Sequence, residues 1–369
     1  MRRRQFLIAA FAFFTLFSSV VTAQELPARL SDEAFWKMIN DFSEEGGYFR
    51  SDNFVSNELT FQYVIPELQQ NTKPGGVYLG VGPDQNFTYI IGLKPKMAFI
   101  IDIRRQNMLQ HLMYKALIEL STDRVEFLSR LFSRKAPANL DRNASAGVLF
   151  DEFYKLEPDR DLFLANLQAV DKRLTEDHGF FLSNEDLGGI EYVYRSFFAA
   201  GLDLTYNGFG PNLGDRRMPS YSEILTQTDE AGLNRSYLGS EENFQALKQL
   251  EEKNLIVPLI GDFAGPKAIR TVADYLRERK ASVTVFYLSN VEQYLFQQAD
   301  DWFKFYKNVG SLPLDSTSTF IRSLFNGVTG QPAPTPTRSV SMLCSMQELI
   351  NAFDAGALST YYEVIRMSH

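Results

Sequence analysis

The sequence predicts an α/β protein with a mainly parallel, doubly wound, Rossmann-like sheet and a large helical insertion. Four short apolar segments, each bounded by turn residues, have the composition of parallel strands buried on both faces: 77–81, 97–103, 255–260 and 283–288. Between the second and third segments, residues 121–253 show mainly helical periodicity and little strand character. Strands that alternate with helices on both sides of this stretch indicate a parallel sheet.

The segment before the first strand, residues 24–75, is expected to be a helical segment that acts as a lid. A helix is predicted over 32–45, because Phe35, Ile39 and Phe42 recur with a period close to 3.6 residues. A turn at residues 73–76 then leads into the first strand. Residues 76–369 are expected to form one Rossmann-like domain that contains the helical insertion.

The later elements follow from periodicity and from residues that begin or end helices. Pro266 favours a helix start, because its missing N–H is not needed there. Ser289 and Asn290 are good N-cap residues for a helix that carries Glu292. The proline-rich residues 329–337 predict an extended surface linker before a last strand. Helices are predicted over 107–120, 124–132, 161–174, 187–198 and 241–250, and that last strand over 339–344.

Composition excludes several classes of protein. The chain has 369 residues, 45% hydrophobic and 22% charged, so a disordered, collagen-like or coiled-coil protein is not expected. Its formal charge of −8 argues against binding to nucleic acid or to anionic lipid. Cys344 is the one cysteine, so an intramolecular disulfide cannot form. The three histidines are too scattered for a zinc motif, and no metal site is predicted.

The N-terminus has the pattern of a signal peptide, residues 1–23. Three arginines at residues 2–4 precede the uncharged apolar run 6–21, and Val21, Thr22 and Ala23 form a small-residue cleavage site. The run is shorter than the roughly 20 residues that span a bilayer, so no stable membrane insertion is expected after the signal is removed. Arginines at 3 and 4 also fit a twin-arginine motif, which leaves the export route open. The predicted location is the bacterial periplasm or the extracellular space.

The glycine-containing turn after the first strand is the main candidate for ligand binding. Gly80 and Gly82 would let the backbone approach a ligand, and the next helix, which begins near Gln85 and Asn86, would offer unpaired N–H groups. The second strand ends in Asp102, 22 residues after Gly80, where a carboxylate could accept hydrogen bonds from ribose hydroxyls. The alternative is a tight strand exit in which Asp102 only pairs with an arginine at position 104 or 105.

Seven further residues are weighed individually. Asp262 follows the third strand and is the candidate catalytic residue or substrate ligand; the alternative is a cap for the next helix. Arg104 could hold a carboxylate or a phosphate, or could simply pair with a nearby acid. The candidate substrate contacts, each with helix capping as the alternative, are Asn57, Glu58, Ser289 and Asn290. His111 is expected to be an exposed helix residue.

The chain resembles the class I S-adenosylmethionine-dependent methyltransferases. Residues 77–82 match their first strand and glycine loop, and Phe99 to Asp102 match their second strand with its terminal acid. The pattern departs from the family at Tyr78, where the family has an acid, and at Asp84, where it has a third glycine. Residues 79–87 and 261–267 are also similar to an uncharacterised exported bacterial family with such a domain. The resemblance implies S-adenosylmethionine as the cofactor, Asp102 on its ribose and Asp262 near the reacting centre.

Two functions follow as expectations. The first is an exported protein that binds a small-molecule nucleoside cofactor and transfers a methyl group to an unknown substrate. The second is a non-catalytic periplasmic binding or interaction protein that retains the fold, since a fold does not establish an activity. Export favours the second, because S-adenosylmethionine is not expected outside the cytoplasm. Twin-arginine export of the loaded protein would favour the first.

Protein isolated from its native compartment should lack residues 1–23, because the charge pattern and the small residues up to Ala23 predict cleavage before Gln24. Intact-mass analysis measures this directly. A full-length cytosolic species as the only form would show that the segment is not a cleaved signal.

Overall fold

A computed structural model describes residues 25–137, 140–208, 218–325 and 339–369. The predicted signal peptide and the proline-rich linker at 329–337 lie outside the described residues. Among the residues that are described, no helix is both long enough and apolar enough to cross a membrane.

The core of the protein is one six-stranded, mostly parallel sheet within a mixed α/β fold. The spatial order of the strands is β3-β2-β1-β4-β5-β6, and β6 alone runs antiparallel, paired with β5. The four strands predicted from apolar segments all belong to this sheet and are parallel, which confirms that prediction. The strand bounds are β1 (Val77–Gly80), β2 (Met97–Asp102), β3 (Ile256–Ile260), β4 (Val283–Ser289), β5 (Leu314–Phe325) and β6 (Ser339–Ser345).

Helices occupy most of the remaining described chain. Short 3-10 turns are present at Phe61–Val64 and Gly201–Asp203, and a π-helical turn at Arg173–Asp177. The α-helices are α1 (Asp32–Phe42), α2 (Ile65–Asn71), α3 (Gln85–Leu93), α4 (Arg105–Glu119), α5 (Arg124–Phe132), α6 (Ala146–Tyr154), α7 (Arg160–Lys172), α8 (Asn184–Ala200), α9 (Tyr221–Leu225), α10 (Glu241–Glu252), α11 (Ala268–Glu278), α12 (Val291–Leu295), α13 (Asp301–Val309), α14 (Met346–Asp354) and α15 (Tyr361–Arg366).

The two faces of the sheet pack against different helices. Tyr78 and Phe99 point to opposite faces, because Tyr78 pairs with Ala98 and adjacent strand residues alternate. The ring of Tyr78 lies 6.5 Å from that of Tyr89 on α3, measured between centroids. On the other face, the ring of Phe99 lies 6.1 Å from that of Tyr275 on α11. Aromatic side chains therefore connect helices to both faces.

The direction in which the chain adds strands reverses beside β1. β2 and β3 extend the sheet on one side of β1, whereas β4, β5 and β6 extend it on the other. The loops that leave β1 and β4 consequently diverge from each other. In open parallel sheets a crevice forms at such a point, outside the carboxyl ends of the strands.

The other helices between β2 and β3 bury more of α4 than the amphipathic pattern of α4 predicts. Every residue of α4 from Asn107 to Glu119 is buried, because α8 and α10 pack on the side that the sheet leaves uncovered. The expectation that His111 is exposed is therefore wrong. Of the predicted helices in this region, those at 124–132, 161–174, 187–198 and 241–250 correspond to α5, α7, α8 and α10.

β5 is a strand that the sequence did not predict. Its first half is rich in serine and threonine and its second half carries Arg322, so no continuous apolar run marks it. Arg322 is fully buried and pairs with Glu292 of α12, with Nε to Oε2 at 2.7 Å and Nη2 to Oε1 at 3.1 Å. The hydroxyl of Tyr306 donates to the same Oε1 at 2.7 Å. This ion pair connects β5 to the helix that follows β4.

Replacing Arg322 by Gln should lower the free energy of unfolding by about 3–5 kcal/mol, because Glu292 would remain buried without its cation. Lys37→Gln is the matched control, since the Lys37–Asp41 pair is exposed and should contribute only about 0–1 kcal/mol. Urea unfolding of both variants measures the difference. Equal losses in the two variants would contradict the structural role of the buried pair.

Candidate functional site

A pocket of about 330 Å³ opens at the carboxyl edge of the sheet, where β1 and β4 diverge. Its walls come from the N-terminal segment 48–58, the loop after β1, the ends of β2 and β3, and the end of β4 with α12. These four walls are far apart in the sequence and meet only through the strand order.

Most of the residues nominated from the sequence line this pocket. Those in its wall are Asn57, Glu58, Gly82, Asp102, Arg104, Asp262, Ser289 and Asn290. Three nominated cofactor contacts, Gly80, Gln85 and Asn86, are not among the lining residues. They lie behind the wall and hold it in place.

Asn86 fixes the glycine loop. Its Nδ2 donates to the carbonyl oxygens of Val81 at 2.9 Å and Pro83 at 2.7 Å, and its Oδ1 accepts a hydrogen bond from Tyr78 at 2.8 Å. A Cβ at Gly80 would lie 1.9 Å from Asn86 Oδ1, so a larger residue would displace this amide. Tyr78, where the sequence departs from the methyltransferase pattern, is therefore a structural partner of the loop.

Gly82 presents an open backbone to the pocket. Its φ of +79° is unfavourable for any residue with a side chain, and a Cβ built there would have no neighbouring atom within 4 Å. A ligand in the pocket can therefore approach the backbone closely at this residue.

Asp102 and Arg104 form the ion pair that the sequence offered as the alternative to ligand binding. Asp102 Oδ1 accepts from the backbone N of Arg104 at 2.9 Å and from Nε at 3.0 Å, and Oδ2 accepts from Nη2 at 2.7 Å. Both side chains are at most 7% exposed. Because a carboxylate has about four acceptor positions, Oδ2 retains one for a ligand hydroxyl. Arg105 pairs instead with Asp186.

Glu58 lies on the opposite side of the glycine loop and is only 1% exposed. Its Oε1 accepts from the hydroxyl of Tyr287 at 2.8 Å and from Ser289 Oγ, and its Oε2 accepts from Gln85 Nε2 at 2.9 Å. Gln85 is positioned in turn by Ser56, which donates to its Oε1. Burial, followed by the charge of Glu58, raises the pKa of Tyr287 well above its usual value, so the phenol keeps the proton that it donates.

Helix capping was the alternative for Asn57, Glu58, Ser289 and Asn290. Asn290 occupies the N-cap position of α12, as the sequence predicts, but neither its side chain nor any other makes a capping hydrogen bond there. Ser289 donates to Glu58 instead. The 3-10 turn after Glu58 has Thr60 at its N-cap and no side-chain capping bond. The position of the cap at Asn290 is therefore confirmed, whereas the capping role expected of Asn57 and Glu58 is wrong.

Asp262 also lines the pocket, and it does not cap the helix that follows. Its Oδ1 accepts from the backbone N of Ala264 at 2.9 Å, within the turn after β3. α11 begins at Ala268 rather than at Pro266, and Glu44 caps it by accepting from the backbone N of Lys267 and Ala268. Burial raises the pKa of Asp262, and the charges of Asp301 and Glu44 add to the effect.

Two of the seven non-glycine residues with positive φ in the described chain line the pocket. Asn53 and Ser289 have φ values of +52° and +51°, and both line the wall together with Gly82. The side-chain Oδ1 of Asn53 is buried and has no hydrogen-bond partner within the described residues. Strained residues of this kind tend to occur where a site is held ready for a ligand.

The pocket combines aromatic walls with an excess of carboxylates. Four lining residues are acidic (Glu58, Asp102, Asp262 and Asp301) and one is basic (Arg104), so their formal charge is 1 minus 4, or −3. The aromatic lining residues are Tyr48, Phe49, Tyr206, Phe263, Tyr287 and Tyr294. This wall favours a flat or cationic ligand and disfavours polyphosphates. The described residues contain no group of three or more His, Cys, Asp and Glu side chains arranged to hold a metal ion.

A second polar cluster lies beneath the glycine loop. The Nε2 of His111 is 2.9 Å from the carbonyl oxygen of Gly82, and burial lowers the pKa of this imidazole to about 4, so it is neutral. Asp84 is 3% exposed and accepts from the hydroxyl of Tyr237 at 2.8 Å. Burial raises the pKa of Asp84 to about 7. Sequence reasoning missed this cluster, because Tyr237 is more than 150 residues from Asp84.

A protein-family model described as a domain of unknown function, DUF7790, matches residues 53–352. Because this match covers most of the chain, the protein belongs to that family. The matched region includes all six strands of the described sheet and the residues from Asn53 to Glu58. No curated protein matches the sequence.

Asp84→Asn should change the pH dependence of stability. The folded pKa of about 7 lies above the ordinary 3.8, so wild-type stability should fall as the pH rises from about 4 to 7, and the variant should lack this loss. Between pH 5 and pH 8 the unfolding free energy of the wild type should fall by about 2–3 kcal/mol relative to that of the variant. Urea unfolding at both pH values tests this, with the exposed Asp274→Asn as control. A pH-independent difference for Asp84→Asn would contradict the buried neutral state.

Proposed function

We propose that this chain is an exported protein with a doubly wound, Rossmann-like, methyltransferase-like domain that binds S-adenosylmethionine. The observation that carries the proposal is the acidic, aromatic pocket at the point where the strand order reverses. The strand order itself and the aromatic contacts on both faces of the sheet support the doubly wound arrangement.

The charge of the pocket favours this nucleoside over other common ones. S-adenosylmethionine has an aromatic adenine, a sulfonium and an ammonium, and its one anionic group is a carboxylate. The pocket has aromatic rings for the base and an excess of lining carboxylates for the cations. NAD and ATP carry phosphates, which four lining carboxylates would repel. The one lining cation, Arg104, is already engaged with Asp102.

Three residues supply the contacts that a nucleoside requires. Gly82 leaves space for the ligand against the backbone. Asp102 Oδ2 has an acceptor position free for a ribose hydroxyl, while Arg104 fixes the orientation of its carboxylate. Asn53 Oδ1 is a buried acceptor that has no hydrogen-bond donor among the described residues, so it can accept a hydrogen bond from a ligand.

Methyl transfer is the activity that we propose for the loaded protein. Bound S-adenosylmethionine would supply a methyl group on its sulfonium. The role of the chain would be to align this group with an acceptor and to exclude water, which requires no catalytic triad. Asp262 is the group that we assign near the reacting centre. Retention of the cofactor without transfer would support the alternative, a non-catalytic periplasmic binding protein.

Purified protein should bind S-adenosylmethionine or its demethylated product, and Gly82→Val should weaken this binding at least tenfold by filling the space beside the loop. Gly232→Val is the matched control, because Gly232 has a φ of +80° and an equally open Cβ position outside the pocket. Isothermal titration calorimetry with both variants measures the difference, with NAD and ATP as comparison ligands. A folded wild type that binds no nucleoside, and releases none on denaturation, would overturn the proposal.

Asp102→Asn tests the ribose contact in the same titrations. Loss of a charge-assisted hydrogen bond worth about 1.5–3 kcal/mol should weaken binding roughly ten- to a hundredfold. The substitution also removes the charged partner of the buried Arg104, so thermal melts must show that the variant is folded. Unchanged affinity in a folded variant would exclude Asp102 as a ligand contact while leaving the cofactor assignment intact.

A further inference from the structure

Two of the four acidic residues that line the pocket lie on opposite sides of the glycine loop. Asp102 ends β2, whereas Glu58 lies against Tyr287 and Ser289 at the end of β4. β1 separates β2 from β4 in the sheet. A nucleoside held by Asp102 therefore leaves the β4 side of the pocket available for a second ligand.

Glu58 differs from the buried carboxylates that stabilise the fold. Asp102, Glu119 and Glu292 each pair with a lysine or an arginine. The three side chains that donate to Glu58 are all neutral: Tyr287, Ser289 and Gln85. Within the described part of the chain, Glu58 forms no ion pair with a basic residue. The wall of the pocket thus contains a buried negative charge without a cation of its own.

The surroundings of Glu58 hold that charge in a fixed place. Its Oε1 takes two hydrogen bonds and its Oε2 takes one, which leaves an acceptor position on Oε2. Gln85 is fixed by Ser56 and lies 3.3 Å from the hydroxyl of Tyr89. Ser289 reaches the carboxylate from a left-handed backbone conformation. A buried charge that is preorganised but unpaired gains most from a ligand of opposite charge.

A second feature of the same pocket also fits a cation. The rings of Phe49 and Tyr294 line the pocket and pack edge to face, with centroids 5.3 Å apart. Tyr294 belongs to α12, which follows β4, so this ring lies on the same side of the pocket as the partners of Glu58. Aromatic rings and a carboxylate together recognise an ammonium group.

We propose that the β4 side of the pocket is a subsite for a small organic amine, and that Glu58 is the anionic partner of its ammonium group. The amine is bound beside the nucleoside, which occupies the β2 side of the pocket. This assignment deepens the proposed function and rests on it for the identity of that nucleoside. Tyr287, Ser289 and Gln85 act as positioning residues for Glu58.

The experiment uses three probes of one shape and different charge: phenethylamine, 2-phenylethanol and phenylacetate. Ligand-observed NMR titrations at pH 7.5 should show that the wild type binds the amine at least tenfold more tightly than the alcohol, and the acid most weakly. Glu58→Gln keeps the size of the side chain and should remove the preference for the amine. Glu278→Gln is the matched control, because Glu278 is 73% exposed and lies outside the pocket; it should retain the preference.

The same titrations in saturating S-adenosylhomocysteine should leave the amine bound, because the two subsites lie on different sides of the glycine loop. Amine and alcohol affinities within threefold in the wild type, an undiminished preference in Glu58→Gln, or displacement of the amine by the nucleoside would each overturn the inference. The comparison of the amine and alcohol affinities of the wild type tests the inference even if Glu58→Gln does not fold. Amine binding that depends on Glu58 in a protein that binds no nucleoside would refute the proposed function and support the amine subsite.

Discussion

β1 pairs with β2 on one side and with β4 on the other, so this four-residue strand joins the two halves of the sheet. The loop that leaves it must turn between diverging chains, and Asn86 fixes that turn by bonding to its carbonyl oxygens. Gly80 has no side chain, which leaves room for the side-chain amide of Asn86. The hydroxyl of Tyr78 donates a hydrogen bond to the Oδ1 of that amide. The position of the pocket depends on this turn, because the other three walls assemble around it.

The sequence predicted the parts of this arrangement that depend on local patterns. Buried parallel strands are continuous apolar runs, so β1 to β4 were visible, as was the carboxylate at the end of β2. β5 was missed because its burial is achieved by pairing Arg322 with Glu292, and such compensation between distant residues leaves no periodic signal. His111 was misjudged for the same reason, since helices from elsewhere in the chain cover its face of α4. The partners of Glu58 could not be predicted either, because they come from α3 and β4.

The chain stabilises buried acidic groups in three distinct ways, and the differences indicate their roles. Glu292 and Asp102 are paired with arginine, which fixes their carboxylates; Asp102 also borders the pocket and keeps an acceptor position on Oδ2. Asp84 is largely uncharged below about pH 7, because burial raises its pKa to about 7. Glu58 has neutral donors only. A carboxylate of the third kind contributes little to a scaffold, because replacement by an uncharged group would remove its desolvation cost. Its presence in a pocket wall is better explained by a ligand.

The strand order also bears on which acidic residue lies near the reacting centre. Asp262 follows β3 and Glu58 contacts the end of β4, and three strand spacings separate β3 from β4. At about 4.8 Å for each spacing, the two strand ends are about 14 Å apart. A methyl donor and its acceptor must come within about 3–3.5 Å at the reacting atoms, so the two residues cannot both contact those atoms. Asp262, at the end of β3, is the carboxylate that we assign near the reacting atoms. Glu58 holds the ammonium group of the amine, and an ammonium has no lone pair to accept a methyl group. The role of Glu58 is therefore to anchor the second ligand and not to take part in the transfer.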